Sequence, residues 1–318
     1  MTIGMTKDYA DSKTAFLFPG QGAQKVGMGL ELFKVSSAAK DVFLQADEAL
    51  GRKLSKVIFE GPEEELKQTL NTQPGIATTS IACMKAMEEL LGPENMPNAH
   101  LMAGHSLGEY TALSAAGVLE VGDTIKLVLK RGELMQQACE ENPGTMAAII
   151  GLDESSLTEI VFQTGAYISN INMPEQIVIS GENMSIARAI DLAKARGAKR
   201  AIPLKVGGAF HSGLMEPAKI GLIETISDLD FHDPNVPIIA NCSAKPLIDG
   251  ENIKQELISQ ISSCVQWSKT MDYMIDEGIT NFIEIGPGRA LSGMMKRFGP
   301  DIKTVSINDP NSIQELTA

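Results

Sequence analysis

The chain has 318 residues, 43% of them hydrophobic, and a formal net charge of −13. That length supports a large core and about two domains, and the negative balance argues against a general nucleic-acid binder. The polar N-terminal dozen residues lack the apolar stretch of a secretion signal, and no uninterrupted apolar run reaches the ~18 residues of a membrane span.

Residues 15–18 read as a short buried strand, which Pro19-Gly20-Gln21-Gly22 breaks into a loop. Helical patterns cover 28–50 and 62–70, and a further helix over 78–91 ends at Gly92-Pro93. Residues 100–103 form a strand running into Gly104-His105-Ser106-Leu107-Gly108, with a helical pattern over 109–119 directly after. Strand, glycine-flanked serine and helix fit a nucleophile elbow, whose sharp turn lifts the serine hydroxyl to a helix N-terminus. A glycine-rich turn with a capping serine gives the same pentapeptide, so the motif needs partners.

Residues 145–206 differ from the rest. A strand at 145–150, a helix at 156–162, two β-rich runs at 166–171 and 176–180, a helix at 183–196 and a strand at 199–206 give the order βαββαβ, the split-βαβ pattern of a ferredoxin-like unit. The expected organisation is an α/β protein: a large α/β-hydrolase-like domain with a mainly parallel sheet (1–140 and 210–318), carrying an inserted ferredoxin-like subdomain (141–209). A late strand at 282–285 ends in Gly286-Pro287-Gly288 before another helix. The cysteines Cys83, Cys139, Cys242 and Cys264 form no C-x-x-C pair and read as small apolar residues of a reduced, cytoplasmic protein.

A serine nucleophile needs a base, and histidine is the usual one. Of the four histidines, His100 starts a strand, His105 lies inside the elbow and His232 sits between acidic residues in a surface loop. His211, after the glycine-rich exit Gly207-Gly208 of the inserted unit, remains by elimination, against the plainer reading of a hydrogen-bonded loop histidine. Arg131 falls in the middle of the apolar face of a helix over 121–140, among Leu127, Val128, Leu134, Met135 and Ala138. A buried guanidinium needs an anion, either an internal carboxylate or that of a substrate. Gly20-Gln21-Gly22 lacks both the third glycine of a dinucleotide motif and the spacing of a P-loop, and reads better as a plain turn or a loop donating an N–H toward the elbow. The sequence offers no metal-ligand cluster.

Together these segments resemble the malonyl-CoA:acyl-carrier-protein transacylases, in the acyltransferase family of fatty-acid and polyketide synthesis. The resemblance spans about Thr14 to Asn308. It rests on Phe18-Pro19-Gly20-Gln21-Gly22, Gly104 to Tyr110, Lys130-Arg131-Gly132, Asn170-Ile171-Asn172 with Pro174 and Gln176, Ala209-Phe210-His211, Val265-Gln266-Trp267 and Glu284-Ile285-Gly286-Pro287-Gly288. It implies Ser106 as nucleophile, His211 as base, Arg131 as the clamp on a malonyl carboxylate, and the Gln21 and Leu107 amides as the oxyanion hole. A backbone carbonyl near Gln266 would orient the imidazole, with no acid as third member. Phe210 would crowd out an α-methyl branch, and Asn172 would face the substrate. Malonyl-CoA is the implied donor and the phosphopantetheine thiol of an acyl carrier protein the acceptor, with no permanently bound cofactor, no metal, and no nucleic-acid or membrane partner. The basic residues Lys199, Arg200, Lys205, Arg289, Lys296 and Arg297 are candidates for docking an acidic carrier. The alternative on the same elbow is a serine esterase or thioesterase. Cys264 and Glu175 depart from the family's usual proline and glycine. A free-standing enzyme, with a monomer as one possibility, is expected over a megasynthase fragment.

Overall fold

The computed structural model describes residues 12–316. Residues 1–11, where the absence of a leader is read from composition, lie outside that range. Among the described residues, strands β1 (Lys13–Phe18), β2 (Ala99–Gly104), β3 (Gly144–Ile150), β4 (Tyr167–Met173), β5 (Gln176–Glu182), β6 (Arg200–Pro203), β7 (Ile238–Ile239), β8 (Pro246–Leu247), β9 (Ile279–Ile285) and β10 (Lys303–Ile307) form two sheets. The larger has the order β10-β9-β1-β2-β7-β8 and is parallel except where β8 pairs with β7. The smaller, β4-β5-β3-β6, is antiparallel throughout its pairs. With helices Glu154–Thr164 and Asn183–Ala195 it has the split-βαβ topology read from the sequence.

β1 shows why the large sheet is covered on both faces. Its side chains alternate: Phe16 and Phe18 enter one core cluster, while Ala15 and Leu17 enter another with Trp267 and Met271. A short parallel bridge ties β4 of the small sheet to the segment before helix Trp267–Asp276, the Val265 N–H donating to Ser169 O (2.8 Å) and the Ile171 N–H to Val265 O (2.9 Å).

Several helices depart from the expected bounds. The 28–50 pattern is two helices, Leu30–Val35 and Ser37–Leu50. Ser36 separates them: its backbone is extended, and its hydroxyl accepts the Ala39 N–H. An additional helix spans Leu54–Glu60. The expected 62–70 and 78–91 helices become a short Glu63–Leu66 turn and one 23-residue helix, Thr69–Leu91, which runs straight through Pro74. Proline cannot donate to the carbonyl one turn back. That carbonyl, Leu70 O, is taken by the Arg52 guanidinium at 3.1 Å. Burial on nearly all sides then holds the helix, overriding the local signal.

Candidate active site

Parallel register brings the chemistry-bearing loops together. Phe18 at the end of β1 pairs with Gly104 at the end of β2, and the His105 N–H donates to Phe18 O (3.0 Å). The loop after β1, carrying Gln21, and the turn after β2, carrying Ser106, therefore leave the same edge of the sheet side by side. β7, the other neighbour of β2, brings Asn241 to that edge. The C-terminal edge of a parallel sheet is where such folds place ligands.

Ser106 sits between β2 and helix Leu107–Ala115 at φ 53, ψ −105, a conformation that costs a non-glycine residue about 1–3 kcal/mol. The flanking glycines permit this turn. A Cβ on Gly104 would lie 1.8 Å from the Gly108 carbonyl carbon, and one on Gly108 would lie 2.1 Å from Phe18 O. Asn241 holds the turn in place: its Oδ1 accepts the Ser106 N–H (2.7 Å) and its Nδ2 donates to Gly104 O (2.7 Å).

Three sequence candidates converge on one oxygen. Ser106 Oγ lies 2.7 Å from His211 Nε2, and Arg131 Nη2 donates to the same Oγ at 3.0 Å. His211 Nδ1 faces two carbonyls, Gln260 O at 2.9 Å and Ser263 O at 3.1 Å. Carbonyls only accept, so Nδ1 carries the proton and Nε2 is left to accept the serine proton. Burial, followed by the charge of Arg131, pushes the His211 pKa down to about 3, keeping the imidazole neutral.

The carbonyls that orient the imidazole, those of Gln260 and Ser263, lie near Gln266 in the chain, but the carbonyl of Gln266 itself is not one of them. Gln266 O accepts the Thr270 N–H (2.9 Å), because Gln266 immediately precedes helix Trp267–Asp276 and its carbonyl closes the first turn. The Gln266 N–H donates to Asn241 O (2.7 Å), so the residue braces the site without touching the imidazole.

Arg131 is 1% exposed, and among the described residues no carboxylate pairs with it. Two neutral amide oxygens hold it instead: Nη1 donates to Gln73 Oε1 (2.7 Å) and Nη2 to Gln260 Oε1 (3.0 Å). The guanidinium carbon lies 5.2 Å from the centre of the Tyr110 ring, a cation–π contact. The guanidinium is thus positioned without a direct ion pair; Glu109 supports its charge only from behind Gln260.

A cavity of about 190 Å³ opens over these atoms. Gln21, Leu107, Phe210 and Asn172 all line it, and the small sheet contributes Met146, Asn170 and Val178. Leu107 is the first residue of its helix, so its N–H has no carbonyl one helical turn back. Asn172 does not reach the serine: its Oδ1 lies 2.9 Å from His105 Nε2, and the His105 ring packs against Trp267. The departure at Glu175 has a geometric counterpart. Its φ of 58 lies in the left-handed region that glycine favours, and its carboxylate pairs with Lys199 at 3.0 Å.

The sequence model of the acyl transferase domain matches residues 15–305. The chain belongs to the acyltransferase family. Among its curated relatives, the malonyl CoA-acyl carrier protein transacylase of Bacillus subtilis (strain 168) is 47% identical over 309 residues, 95% of this chain and 96% of that one. The Escherichia coli K12 protein of the same name is 39% identical over 303 residues, covering 94% and 97%. Among solved structures, the acyl-carrier-protein-S-malonyltransferase of Bartonella henselae superposes with a TM-score of 0.92 at 40% identity, covering 95% and 98% of the two chains. A malonyl-transacylase solved in complex with its type II PKS acyl-carrier protein does so with a TM-score of 0.92 at 37% identity, covering 96% and 99%.

Sequence reasoning missed Gln73, Asn241, Gln260 and Ser263. Gln73 was obscured by Pro74, which reads as a helix breaker. Asn241, a polar residue directly after the apolar run Ile238-Ile239-Ala240, carried a visible signal of a strand end. The carbonyls of Gln260 and Ser263 carry none, since every residue has a carbonyl.

Proposed function

We propose that this acyltransferase moves a malonyl group from malonyl-CoA to the phosphopantetheine thiol of an acyl carrier protein through a malonyl ester on Ser106. One observation carries the reading: a hydroxyl in hydrogen-bond reach of a neutral imidazole and of a buried guanidinium that, among the described residues, no carboxylate meets in an ion pair. Malonyl is a short diacid whose free carboxylate lies two carbons from the thioester carbonyl. An enzyme that attacks that carbonyl with Oγ needs a cation close to the same oxygen.

Ser106 Oγ forms a bond to the thioester carbon while its proton passes to His211 Nε2. The oxyanion is received by the Leu107 amide, supported by the helix N-terminus, and by the amide of Gln21 across the cavity. On collapse the C–S bond breaks, and His211 gives the proton to the coenzyme A sulfur. The carboxylate rests on Arg131, taking the Nη2 proton that now points at Oγ together with the second proton on Nη1. The carrier's thiol then enters and reverses the steps, in ping-pong fashion. The thiol arrives on the partner, so the chemistry asks for no resident cofactor. Phe210 limits substitution at the α-carbon, and the unit 141–209 roofs the cleft against water. Cytoplasmic residence fits the same reading, with four unpaired cysteines and, among the described residues, no helix long and apolar enough to cross a membrane.

Mass spectrometry after mixing the protein with malonyl-CoA tests the reading. The expected result is a malonyl adduct on Ser106, stable in water and discharged by a pantetheine thiol. Rapid loss to water without a thiol would instead place the protein among the hydrolases.

A further inference from the structure

Behind the elbow lies a carboxyl group that the chemistry above does not use. Glu109, one turn along the helix from Ser106, is fully buried. Each of its oxygens accepts one bond: Oε1 from the Asn241 N–H (2.9 Å), and Oε2 from Gln260 Nε2 (2.8 Å). Gln260 spends its other amide proton on Ser106 O (2.7 Å) and turns its oxygen to Arg131 Nη2 (3.0 Å).

We propose that Glu109 is a positioning residue for substrate selection: by accepting from Gln260 Nε2 it keeps the Gln260 oxygen toward Arg131, and so fixes the guanidinium for a substrate carboxylate. The chemistry leaves little choice. A side-chain amide can sit either way round, and its neighbours decide which. Two acceptors, Glu109 Oε2 and Ser106 O, face the Gln260 nitrogen, and one donor, Arg131, faces its oxygen. Without Glu109, one of these three contacts is gone. Gln260 is also fully buried, so bulk water does not reach the amide to replace a lost partner. Glu109 forms no ion pair with Arg131, so it orders the clamp without occupying it.

Glu109→Gln is the informative substitution because it keeps the shape. Each Glu109 oxygen accepts one N–H here, whereas a carboxamide has one oxygen and must turn its NH2 group toward either the Asn241 N–H or the Gln260 NH2. The Asn241 N–H belongs to the backbone and cannot rotate, while the Gln260 amide can. The conflict therefore falls on the Gln260 amide: turned, it offers Arg131 a donor and loses Ser106 O, and unturned, its NH2 faces another NH2.

This inference rests on the assignment of Arg131 as the malonyl clamp, so the experiment carries Arg131→Ala alongside. The readout is the ratio of kcat/KM for malonyl-CoA to that for acetyl-CoA. Glu109→Gln is expected to lower this ratio about tenfold or more, mainly through the KM for malonyl-CoA. Gln260→Met, which removes the amide but keeps the backbone carbonyl on His211, is expected to lower it similarly. The double variant should be no worse than Gln260→Met alone, as two residues on one chain of contacts require. An unchanged or raised ratio in Glu109→Gln, or equal loss with both substrates, overturns the proposal while leaving the clamp standing. If Glu109→Gln does not fold, Gln260→Met decides, and retention of the ratio there overturns it. A ratio kept by Arg131→Ala removes the clamp and this proposal together.

Discussion

Arg131 donates to the oxygen of Ser106 itself, at 3.0 Å, from a helix 25 residues further along the chain. Under the proposed function, a cation that touches the candidate nucleophile would select what the nucleophile carries. It also acts on the base, since its charge is the second cause of the lowered His211 pKa.

Removing the guanidinium should therefore change selectivity more than chemistry. Arg131→Ala is expected to lower kcat/KM for malonyl-CoA by about a hundredfold or more, as loss of a buried charge pair does. Acetyl transfer should be spared or improved. Arg131→Lys should rescue poorly, because a point charge cannot hold both Gln73 and Gln260 while gripping a carboxylate. Steady-state kinetics with both thioesters checks this.

The pH dependence follows from the same pair. The base must be neutral to act, and the His211 pKa lies at about 3, well below the ordinary value of about 6.5. The rate of Ser106 acylation should thus stay flat as pH falls from 8 to 5, with no inflection in the ordinary histidine range, and fail only in stronger acid. In Arg131→Ala one acidifying influence is gone, so the acid limb should move upward. Single-turnover acylation by acetyl-CoA across pH reads both; a wild-type inflection near the ordinary histidine value would contradict the burial argument.

Phe210 is 7% exposed and lines the cavity beside His211. Phe210→Ala should open room for an α-methyl group and raise the methylmalonyl-to-malonyl ratio of kcat/KM by about 10-fold or more, the scale on which hydrophobic pockets discriminate single methyl groups. Competition between the two thioesters, with the adduct on Ser106 weighed, measures it.

The candidate docking residues are not equivalent. Lys199 is engaged by Glu175. Lys205 is exposed in a hollow that also holds Lys67 and shares Gln21 and Val206 with the active cavity. Lys296 and Arg289 line a different hollow, near the C-terminus. Lys205→Glu should raise the KM for the carrier protein at low ionic strength, with the effect shrinking as salt is added. Lys296→Glu with Arg297→Glu should do so less. Equal KM values at low salt for wild type and Lys205→Glu would exclude that approach.

Much of this was written locally in the chain. Gly104 permits the turn at Ser106 because a Cβ there would meet Gly108 within the same motif, and the order of strands and helices between residues 144 and 203 prescribes the small sheet. The position of Arg131 on an apolar helix face declared a buried charge before its surroundings were known. Other features depended on neighbours far away in sequence. Helix Thr69–Leu91 survives Pro74 because Arg52 takes the freed carbonyl, and the imidazole is oriented by the carbonyls of Gln260 and Ser263, which no side-chain pattern reports.

The amino-acid sequence alone determined which side chains could do chemistry and how the chain turns around them, since rotation limits, hydrophobic periodicity and close backbone approach act over a few residues. Only the tertiary structure decided what those side chains meet. Which amide oxygens hold the guanidinium, whether an acid quenches it and which carbonyls fix the imidazole all depend on strand register and helix packing, which here join residues 49 to 129 positions apart.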